Sequence, residues 1–312
     1  MPIVRKAVIT AAGRGTRQYP ATNTLQKELI TLVDRDGYTK PTLQLILEDA
    51  LAGGIEELCV VANPDNAEPI RRHFRGLTSS EREGAFRGKD WALPLSDRLQ
   101  DLGDRLSIVI QQEPQGYGDA VYQAREWVGD EPFLLMVGDH ITITSGADNC
   151  PRQIADVYEK HECPVSSVAR VPSSKVSRYG TCAGEFIAGS DPVTYTMTAM
   201  QEKPTVAEAA ARLKTPGLPA DTYLCFYGLH VFPAEVFHCL HHLIDNNIRE
   251  RGEIQMAAAQ EMLFQRGRYV VSELSGEQHD MGTPDGLIHT QLALALHSPY
   301  RDAVRRQVAE YR

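Results

Sequence analysis

The sequence predicts an α/β fold with a mixed, mainly parallel central sheet, helices on both faces and antiparallel additions. Three observations predict this fold. Short apolar, β-branched runs alternate with segments of helical spacing in the first half, and the connections are short. A glycine-rich stretch follows the first run at once, in the place where parallel sheets put ligand sites. In the second half, consecutive strand-like runs indicate antiparallel pairing.

The elements of the first half each carry a local signal. Residues 41–53 have apolar side chains at helical spacing and end in Gly53-Gly54, a helix C-terminal signal. We predict strands at residues 4–11, 57–62, 106–111 and 132–137, and further helices at 65–75 and 117–128. The polar and charged segment 76–103 is interpreted as an insertion or a lid.

The second half is less regular. We predict helices at residues 150–161, 233–246, 253–265 and 284–295, and strands at 164–171, 182–187, 193–201, 221–232 and 269–274. Residues 298–312 are predicted to form a basic C-terminal helix. No change in composition marks a linker, so we expect one domain over residues 1–312.

The composition and net charge argue against some classes of protein. The chain has 312 residues and a net charge of −9, which argues against a general nucleic-acid coat or a binder of anionic membranes. Its six cysteines form no CxxC pair and several lie in apolar runs, which favours free, buried thiols in a reducing compartment. We find neither a signal-peptide pattern nor an apolar stretch of ~20 residues, and expect a cytoplasmic protein.

The densest motif is the loop Ala11-Ala12-Gly13-Arg14-Gly15-Thr16-Arg17. Its glycines allow the backbone to bend and bring several N–H groups to one anion, and Arg14 and Arg17 add guanidinium donors. Gln18 stands where a dinucleotide fingerprint needs its third glycine, and the loop lacks the ending of a P-loop. The loop alone therefore indicates either a phosphate site or a plain tight turn.

Further motifs follow this loop in a fixed order. They are Lys27-Glu28, residues 111–121 (QQEPQGYGDAV), Gly138-Asp139, Tyr179-Gly180, Glu202-Lys203-Pro204, Gly228, residues 252–255 (GEIQ) and Asp280-Met281-Gly282. In this order they resemble the sugar-phosphate nucleotidyltransferases, and among them the bacterial UTP–glucose-1-phosphate uridylyltransferases. The resemblance spans roughly residues 4 to 296.

The resemblance implies a Rossmann-like nucleotide-diphospho-sugar transferase fold and a definite reaction. A uridylyl group would pass from UTP to glucose 1-phosphate, assisted by Mg²⁺, to give UDP-glucose and pyrophosphate. The sugar phosphate is itself the nucleophile and is largely deprotonated at neutral pH, so no protein nucleophile is required. The partners implied are two small anionic substrates, with no nucleic acid and no membrane, and the chain is expected to form a homo-oligomer, a dimer or a tetramer.

The resemblance also assigns roles to individual positions. Asp139, after the strand at 132–137, and Asp280, after the strand at 269–274, would hold Mg²⁺. The catalytic cations would be Arg17, Lys27 and Lys203. The nucleotide would contact Ala11, Ala12, Gly13, Gly15, Thr16, Gln111 and Gly116. The sugar phosphate would contact Gly180, Glu202, Lys203 and Gly228. The Gln111 amide both donates and accepts, which suits a pyrimidine edge, and Gly116 would leave room for the base.

Several positions depart from the usual family pattern. Gln26 replaces a proline, Asp119 replaces a histidine, and residues 256–258 lack the usual Thr-Asp. These departures leave open a sister transferase that uses dTTP, CTP or ATP, or another sugar. A non-catalytic paralogue that binds a nucleotide sugar is the third hypothesis, and the retained Asp139, Asp280 and basic residues speak against it.

A cluster of His238, Cys239, His241 and His242 lies on one predicted helix. His238 and His242 are one turn apart, a spacing that binds zinc in some proteins. No third ligand is assigned nearby. We therefore interpret the cluster as a partly exposed helical face.

Overall fold

The computed structural model describes residues 3–311. Its strands are β1 (Lys6–Ala11), β2 (Thr31–Val33), β3 (Thr39–Pro41), β4 (Glu57–Ala62), β5 (Leu106–Ile110), β6 (Phe133–Val137), β7 (His140–Ile143), β8 (Val165–Pro172), β9 (Thr181–Phe186), β10 (Val193–Gln201), β11 (Thr222–Phe232), β12 (Val270–Glu273) and β13 (Glu277–Asp280). Its helices are α1 (Thr42–Ala52), α2 (Pro64–Phe74), α3 (Ser79–Glu83), α4 (Ala92–Asp104), α5 (Tyr117–Gln123), α6 (Arg125–Val128), α7 (Cys150–His161), α8 (Val206–Arg212), α9 (Glu235–Asp245), α10 (Met256–Arg266), α11 (Pro284–Leu296) and α12 (Arg301–Glu310).

Nine strands form one mixed sheet within residues 3–311, in the order β5-β4-β1-β6-β11-β8-β12-β10-β9. Strands β5, β4, β1 and β6 are parallel neighbours. Strand β11 runs antiparallel to β6 and β8, and β10 runs antiparallel to β12 and β9. The predicted fold class is confirmed, with a parallel half in the first part of the chain and a mainly antiparallel half in the second, where β12 and β8 alone pair in parallel among the described strands.

Both faces of the sheet are covered. In β1, Ala7, Ile9 and Ala11 belong to one apolar core, which also holds side chains of α1, α2 and α7. The intervening Val8 belongs to a second core with side chains of α5, α9 and α10. Side chains of a strand alternate between its two faces, so a run that is apolar throughout lies in a sheet with helices on both sides.

The carboxyl ends of the parallel strands meet at one edge. Thr10 of β1 lies beside Val137 of β6, and Ala62 of β4 lies beside Ile110 of β5. The loop after β1, Gln111 after β5 and Asp139 after β6 therefore reach the same edge. This is the place where open α/β sheets bind their ligands.

A two-stranded ribbon beside the main sheet differs from the prediction. Strand β13 pairs with β7 in an antiparallel register that puts Asp280 opposite His140. Asp280 was expected after the strand at 269–274, and it does follow that strand, but it ends a separate short strand that the sequence analysis did not predict. Each of these strands is four residues long, too short for a period-2 pattern to stand out in the sequence.

Other elements differ in detail. The predicted helix at 117–128 is two helices, α5 and α6, which meet at Ala124.

Segment 76–103 contains α3 and most of α4. Phe74 of α2 and Leu102 of α4 are buried in the same core. The charged segment is thus largely helical and anchored to the core, while its role as a lid stays a prediction. The predicted C-terminal helix 298–312 is α12, and residue 312 lies outside the described residues.

All six cysteines are buried and unpaired, as the sequence predicts. Among residues 3–311, no helix has the length and apolar character that crossing a bilayer would need.

A polar network lies buried beside the second core. His230 is 5% exposed, and its Nδ1 lies 2.7 Å from the hydroxyl of Ser166, which in turn bonds the hydroxyl of Tyr269 at 2.6 Å. The amide of Gln260 also reaches Tyr269, at 3.2 Å. Burial lowers the pKa of His230 to about 3, with a smaller contribution from His140.

This histidine predicts a pH dependence of stability. In the unfolded chain it protonates below its ordinary pKa of 6.5, whereas in the folded chain it stays neutral to about 3. The unfolded state therefore binds the extra proton, and the free energy of unfolding should fall by ~1.4 kcal/mol per pH unit below 6.5. Urea unfolding at pH 7, 6 and 5 measures this slope. We expect a shallower slope in His230→Gln and the original slope in the control His242→Gln; equal slopes in both variants would refute the assignment.

Candidate active site

The loop after β1 forms an open cradle of backbone donors. Gly15 has φ +66° and precedes a 3-10 turn at Thr16–Gln18, which ends with the buried Gln18. The Gln18 amide donates to the carbonyl of Met281 at 2.7 Å and so joins this loop to the residues after β13. Within residues 3–311, the N–H groups of Gly13, Arg14 and Gly15 donate to no protein acceptor. Successive N–H groups without a protein acceptor are suited to a phosphate.

Asp139 lies at the base of this cradle and is 3% exposed. The Lys27 ammonium donates to its Oδ2 at 2.6 Å, and the Arg17 guanidinium lies 3.8 Å away. Burial alone would raise the pKa of Asp139, but Lys27, His140 and Arg17 outweigh it and hold the pKa below its usual range. Asp139 is therefore an ionised carboxylate in a buried setting.

Lys27 also pairs with Glu28, at 3.2 Å. Burial pushes the pKa of Lys27 down, while Glu28 and Asp139 raise it above its ordinary value, so Lys27 carries its charge. Burial raises the pKa of Glu28 to about 7, against the pull of Lys27 and with help from Asp139. The Oε2 atom of Glu28 has no partner among the described residues. One half-buried cation thus pairs with two carboxyl groups.

The ribbon brings a second carboxylate to this place. One ligand atom each of Asp139, His140 and Asp280 lie within 4.8 Å of one another. Arg17 reaches Asp280 at 3.7 Å as well as Asp139. The N–H of Gly282 donates to Asp280 at 2.8 Å and helps to hold that carboxylate in position. Two carboxylates and an imidazole are a donor set that suits a divalent cation.

His140 is a residue that the sequence reasoning missed. Burial lowers its pKa, although the neighbouring Asp139 and Asp280 oppose this, so the ring is neutral near pH 7. The centroid of its ring lies 4.5 Å from that of Tyr227, with the two planes tilted by 34°, and its Nδ1 has no partner among residues 3–311. Its position directly after Asp139 was the signal available in the sequence.

The predicted sugar-phosphate residues form a second group. The Lys203 ammonium lies 3.1 Å from Glu202, and the Lys203 N–H donates to Tyr179 at 3.2 Å. A Cβ on Gly180 would lie 2.8 Å from the Glu202 carboxylate, so this glycine makes room for Glu202. Gly228 instead faces His140 and Val137, and so touches the carboxylate group rather than the Lys203 group. The described contacts of Lys203 do not include Asp139.

Of the two predicted base-binding residues, Gln111 lines a pocket of about 560 Å³, and Gly116 is not among the residues that line it. Among its lining residues are Ala12, Arg14, Gln111 and Gln112. Gly116 has φ +125°, and a Cβ there would lie 2.6 Å from the carbonyl oxygen of Ile254. This glycine is therefore required for packing against residues 253–254, and its role in leaving room for a base stays a prediction.

The comparisons with known proteins agree with this geometry. The family model described as nucleotidyl transferase matches residues 6–296. The chain belongs to the nucleotidyl transferase family. A UTP–glucose-1-phosphate uridylyltransferase of Streptococcus pneumoniae is 35% identical over 299 residues, covering 95% of this chain and 92% of that protein. One from Streptococcus pyogenes is 34% identical over 303 residues, covering 96% and 91%.

Solved structures share the fold of this nucleotidyl transferase. A UTP-bound UGPase from Acinetobacter baumannii has a TM-score of 0.80 at 24% identity, covering 99% of this chain and all of that one. A UDP-glucose pyrophosphorylase in complex with UDP-glucose has a TM-score of 0.73 at 24% identity, covering 93% and 98%. At this identity the likeness establishes the fold.

The histidine cluster of the nucleotidyl transferase is a helical face, as expected. On α9, Cys239 is buried, and His241 stacks on Tyr122 and pairs with Asp245. His242 lies beside Asn246 at 3.2 Å. Within the described residues, the group with metal-compatible spacing is Asp139, His140 and Asp280 rather than this helix.

Gly282 provides a test of the carboxylate group. A Cβ on this residue would collide with the Asp139 carboxylate and would lie 2.7 Å from the Arg17 guanidinium. We expect Gly282→Ala to lower turnover by about 100-fold, since it displaces both charges from their positions. The control is Gly267→Ala, where a Cβ meets no atom within 4 Å. Steady-state kinetics with thermal melting of both variants measures the effect; equal kcat in the two would contradict this arrangement.

Proposed function

We propose that the chain transfers a uridylyl group from UTP to glucose 1-phosphate and releases pyrophosphate. The observation that carries the proposal is the free backbone cradle of residues 13–15 beside the Asp139–Asp280 pair. Relatives named UTP–glucose-1-phosphate uridylyltransferase are about a third identical over nearly the whole chain, and they support the choice of substrates.

The reaction balances without a protein nucleophile. A phosphate oxygen of glucose 1-phosphate attacks the α-phosphorus of UTP in line, a new P–O bond forms, and the bond to the β-phosphate breaks. The electron pair leaves on pyrophosphate. No cysteine takes part in this scheme, since all six are buried. The enzyme has to align two polyanions and offset their repulsion.

Different groups of residues bind the triphosphate, the base and the sugar phosphate. In our proposal the N–H groups of Gly13, Arg14 and Gly15 hold the triphosphate of UTP, with Ala11, Ala12 and Thr16 completing the loop. Arg17 and Lys27 neutralise charge on the phosphates, and both already reach Asp139. Gln111 lines the base pocket, and Gly116 leaves room for the base. Glu202 accepts hydrogen bonds from sugar hydroxyls, Lys203 binds the sugar phosphate, and Gly180 and Gly228 shape this side of the site.

A divalent cation fits the carboxylate group. Asp139 and Asp280 supply oxygens from adjacent strand ends, and both are neighbours of Arg17 rather than isolated acids. We propose that these two residues hold Mg²⁺, which when bound screens the phosphate oxygens and favours departure of pyrophosphate. Lys27 keeps Asp139 ionised and in place before the cation arrives.

The deciding experiment is a substrate matrix. The purified chain with Mg²⁺ is incubated with UTP, dTTP, CTP or ATP against several sugar 1-phosphates, and pyrophosphate release is measured. We expect the highest kcat/KM for UTP with glucose 1-phosphate. A different best pair would identify a sister transferase, and no release with any pair would favour a regulatory, nucleotide-sugar-binding protein.

We also propose that the protein acts in the cytoplasm as a homo-oligomer. Free thiols are typical of a reducing compartment. Ile288 and Leu292, one turn apart on α11, are 67% and 40% exposed, which supports a contact between copies through this helix. Sedimentation equilibrium of the purified chain tests the association.

A further inference from the structure

The Gln111 side chain at the base pocket is held in one orientation. Its Nε2 donates to the Asp119 carboxylate at 2.6 Å and to the carbonyl of Gly116 at 3.2 Å. Both acceptors are incapable of donating, and an amide nitrogen has two hydrogens. These two bonds therefore use both hydrogens, and rotating the amide by half a turn would set its oxygen against a carboxylate.

Asp119 is itself fixed. It is 4% exposed and lies in the first turn of α5, and its second oxygen accepts from Gln123 at 3.1 Å, one turn further along the helix. Its contact with Gln111 spans eight residues and links α5 to the end of β5. Both oxygens of this buried carboxylate therefore have an amide donor, as buried polar groups usually do.

The oxygen of the Gln111 amide is left for a ligand. Gln111 lines the pocket, and no donor within residues 3–311 bonds its Oε1. The Oε1 atom is also not one of the buried, unpartnered atoms of the described chain. The side chain thus presents a hydrogen-bond acceptor, and no donor, to whatever enters the pocket.

We propose that Asp119 is a positioning residue that selects the base by holding Gln111 with its oxygen toward the pocket. In uracil and thymine the ring nitrogen N3 carries a hydrogen, which the Gln111 oxygen accepts. In cytosine the same nitrogen carries a lone pair, which opposes that oxygen. The structure thus points to a pyrimidine with an N3–H group as the preferred base. This inference rests on the proposed function, since it treats the pocket as the nucleotide site.

The test is Asp119→Asn, which keeps the shape and removes the fixed acceptor. An asparagine that accepts from Gln123 turns its own N–H groups toward Gln111, so the Gln111 amide can then turn around. A site built to bond one group discriminates strongly against an analogue that lacks it. We expect the wild-type chain to prefer UTP over CTP by at least about 100-fold in kcat/KM, and the variant to lose at least about 10-fold of that ratio.

Controls separate positioning from general damage. Glu126→Gln makes the same chemical change on an exposed side chain of the next helix and should keep the wild-type ratio. The Gln111→Leu variant should lose the preference for UTP over CTP. Adding Asp119→Asn to that variant should cause no further loss, because Asp119 acts through Gln111. An Asp119→Asn protein that keeps the wild-type ratio overturns the proposal. If that variant does not fold, a Gln111→Leu protein that keeps the ratio overturns it instead.

Calorimetric binding of UTP and of CTP distinguishes this proposal from the proposed function. If the wild-type chain binds UTP selectively and releases no pyrophosphate, the transferase proposal fails and the base selection stands. If it forms UDP-glucose and uses CTP equally well, the base selection fails and the transferase proposal stands.

Discussion

Replacing Asp139 with asparagine is expected to lower turnover by at least about 1,000-fold, which corresponds to ~4 kcal/mol of transition-state stabilisation. The variant keeps the shape of the side chain and removes the charge that, in our proposal, holds both the cation and Lys27. A loss of this size is typical when a preorganised electrostatic contact to the reacting phosphates is removed. Pyrophosphate release under saturating substrates measures it.

The fold should survive this change. Lys27 keeps Glu28 as a partner at 3.2 Å, so its ammonium group is not left unpaired. We expect the melting temperature to change by only a few degrees, and the binding of Mn²⁺, followed by electron paramagnetic resonance, to weaken. Asp130→Asn is the control, because Asp130 is exposed near the opposite end of the same strand. Turnover within tenfold of the wild type in Asp139→Asn would refute the assignment.

Replacing Lys203 with alanine is expected to raise the KM for glucose 1-phosphate and to lower kcat/KM by about 10- to 100-fold. A charge-assisted hydrogen bond contributes ~1.5–3 kcal/mol, and tenfold corresponds to ~1.4 kcal/mol. Lys203 lies beside Glu202 and is not one of the residues lining the pocket of Ala12 and Gln111. The dissociation constant of UTP should therefore change by less than about threefold.

A variant at a second lysine distinguishes the specific effect of losing Lys203 from the general effect of removing one positive charge. Lys214 is exposed, and Lys214→Ala should behave as the wild type in both measurements. The backbone of Lys203 has φ +44°, and alanine carries the same Cβ as lysine, so the variant adds no backbone strain of its own. Unchanged KM and kcat for the sugar phosphate would contradict the role of Lys203.

The net charge of −9 sets the electrostatic problem that these residues address. Two anionic substrates gain little from the overall field of an acidic protein, so cations have to be placed locally. Arg17 lies between Asp139 and Asp280, and Lys27 lies between Asp139 and Glu28. The site therefore holds its cations on buried or half-buried carboxylates, at fixed positions.

Local patterns predicted most elements, because helices and strands each have a characteristic spacing of apolar residues along the sequence. The helix Cys150–His161 and the strand Glu57–Ala62 have the bounds predicted for them. The motif order also predicted the family, because each motif is short and recognisable by itself. The ribbon of β7 and β13 was missed because each strand has four residues and no alternation that marks it.

The sequence by itself determined the fold class, the glycine-rich loop after the first strand and the residue types available for chemistry. Tertiary structure alone decided which of them meet. Lys27 and Asp139 are 112 residues apart, and Asp280 reaches both His140 and Arg17 only through the register of the ribbon. The tertiary structure also decided that Gly116 packs against Ile254 and that Gln111 donates to Asp119. Such contacts depend on strand order and register, which no local pattern encodes.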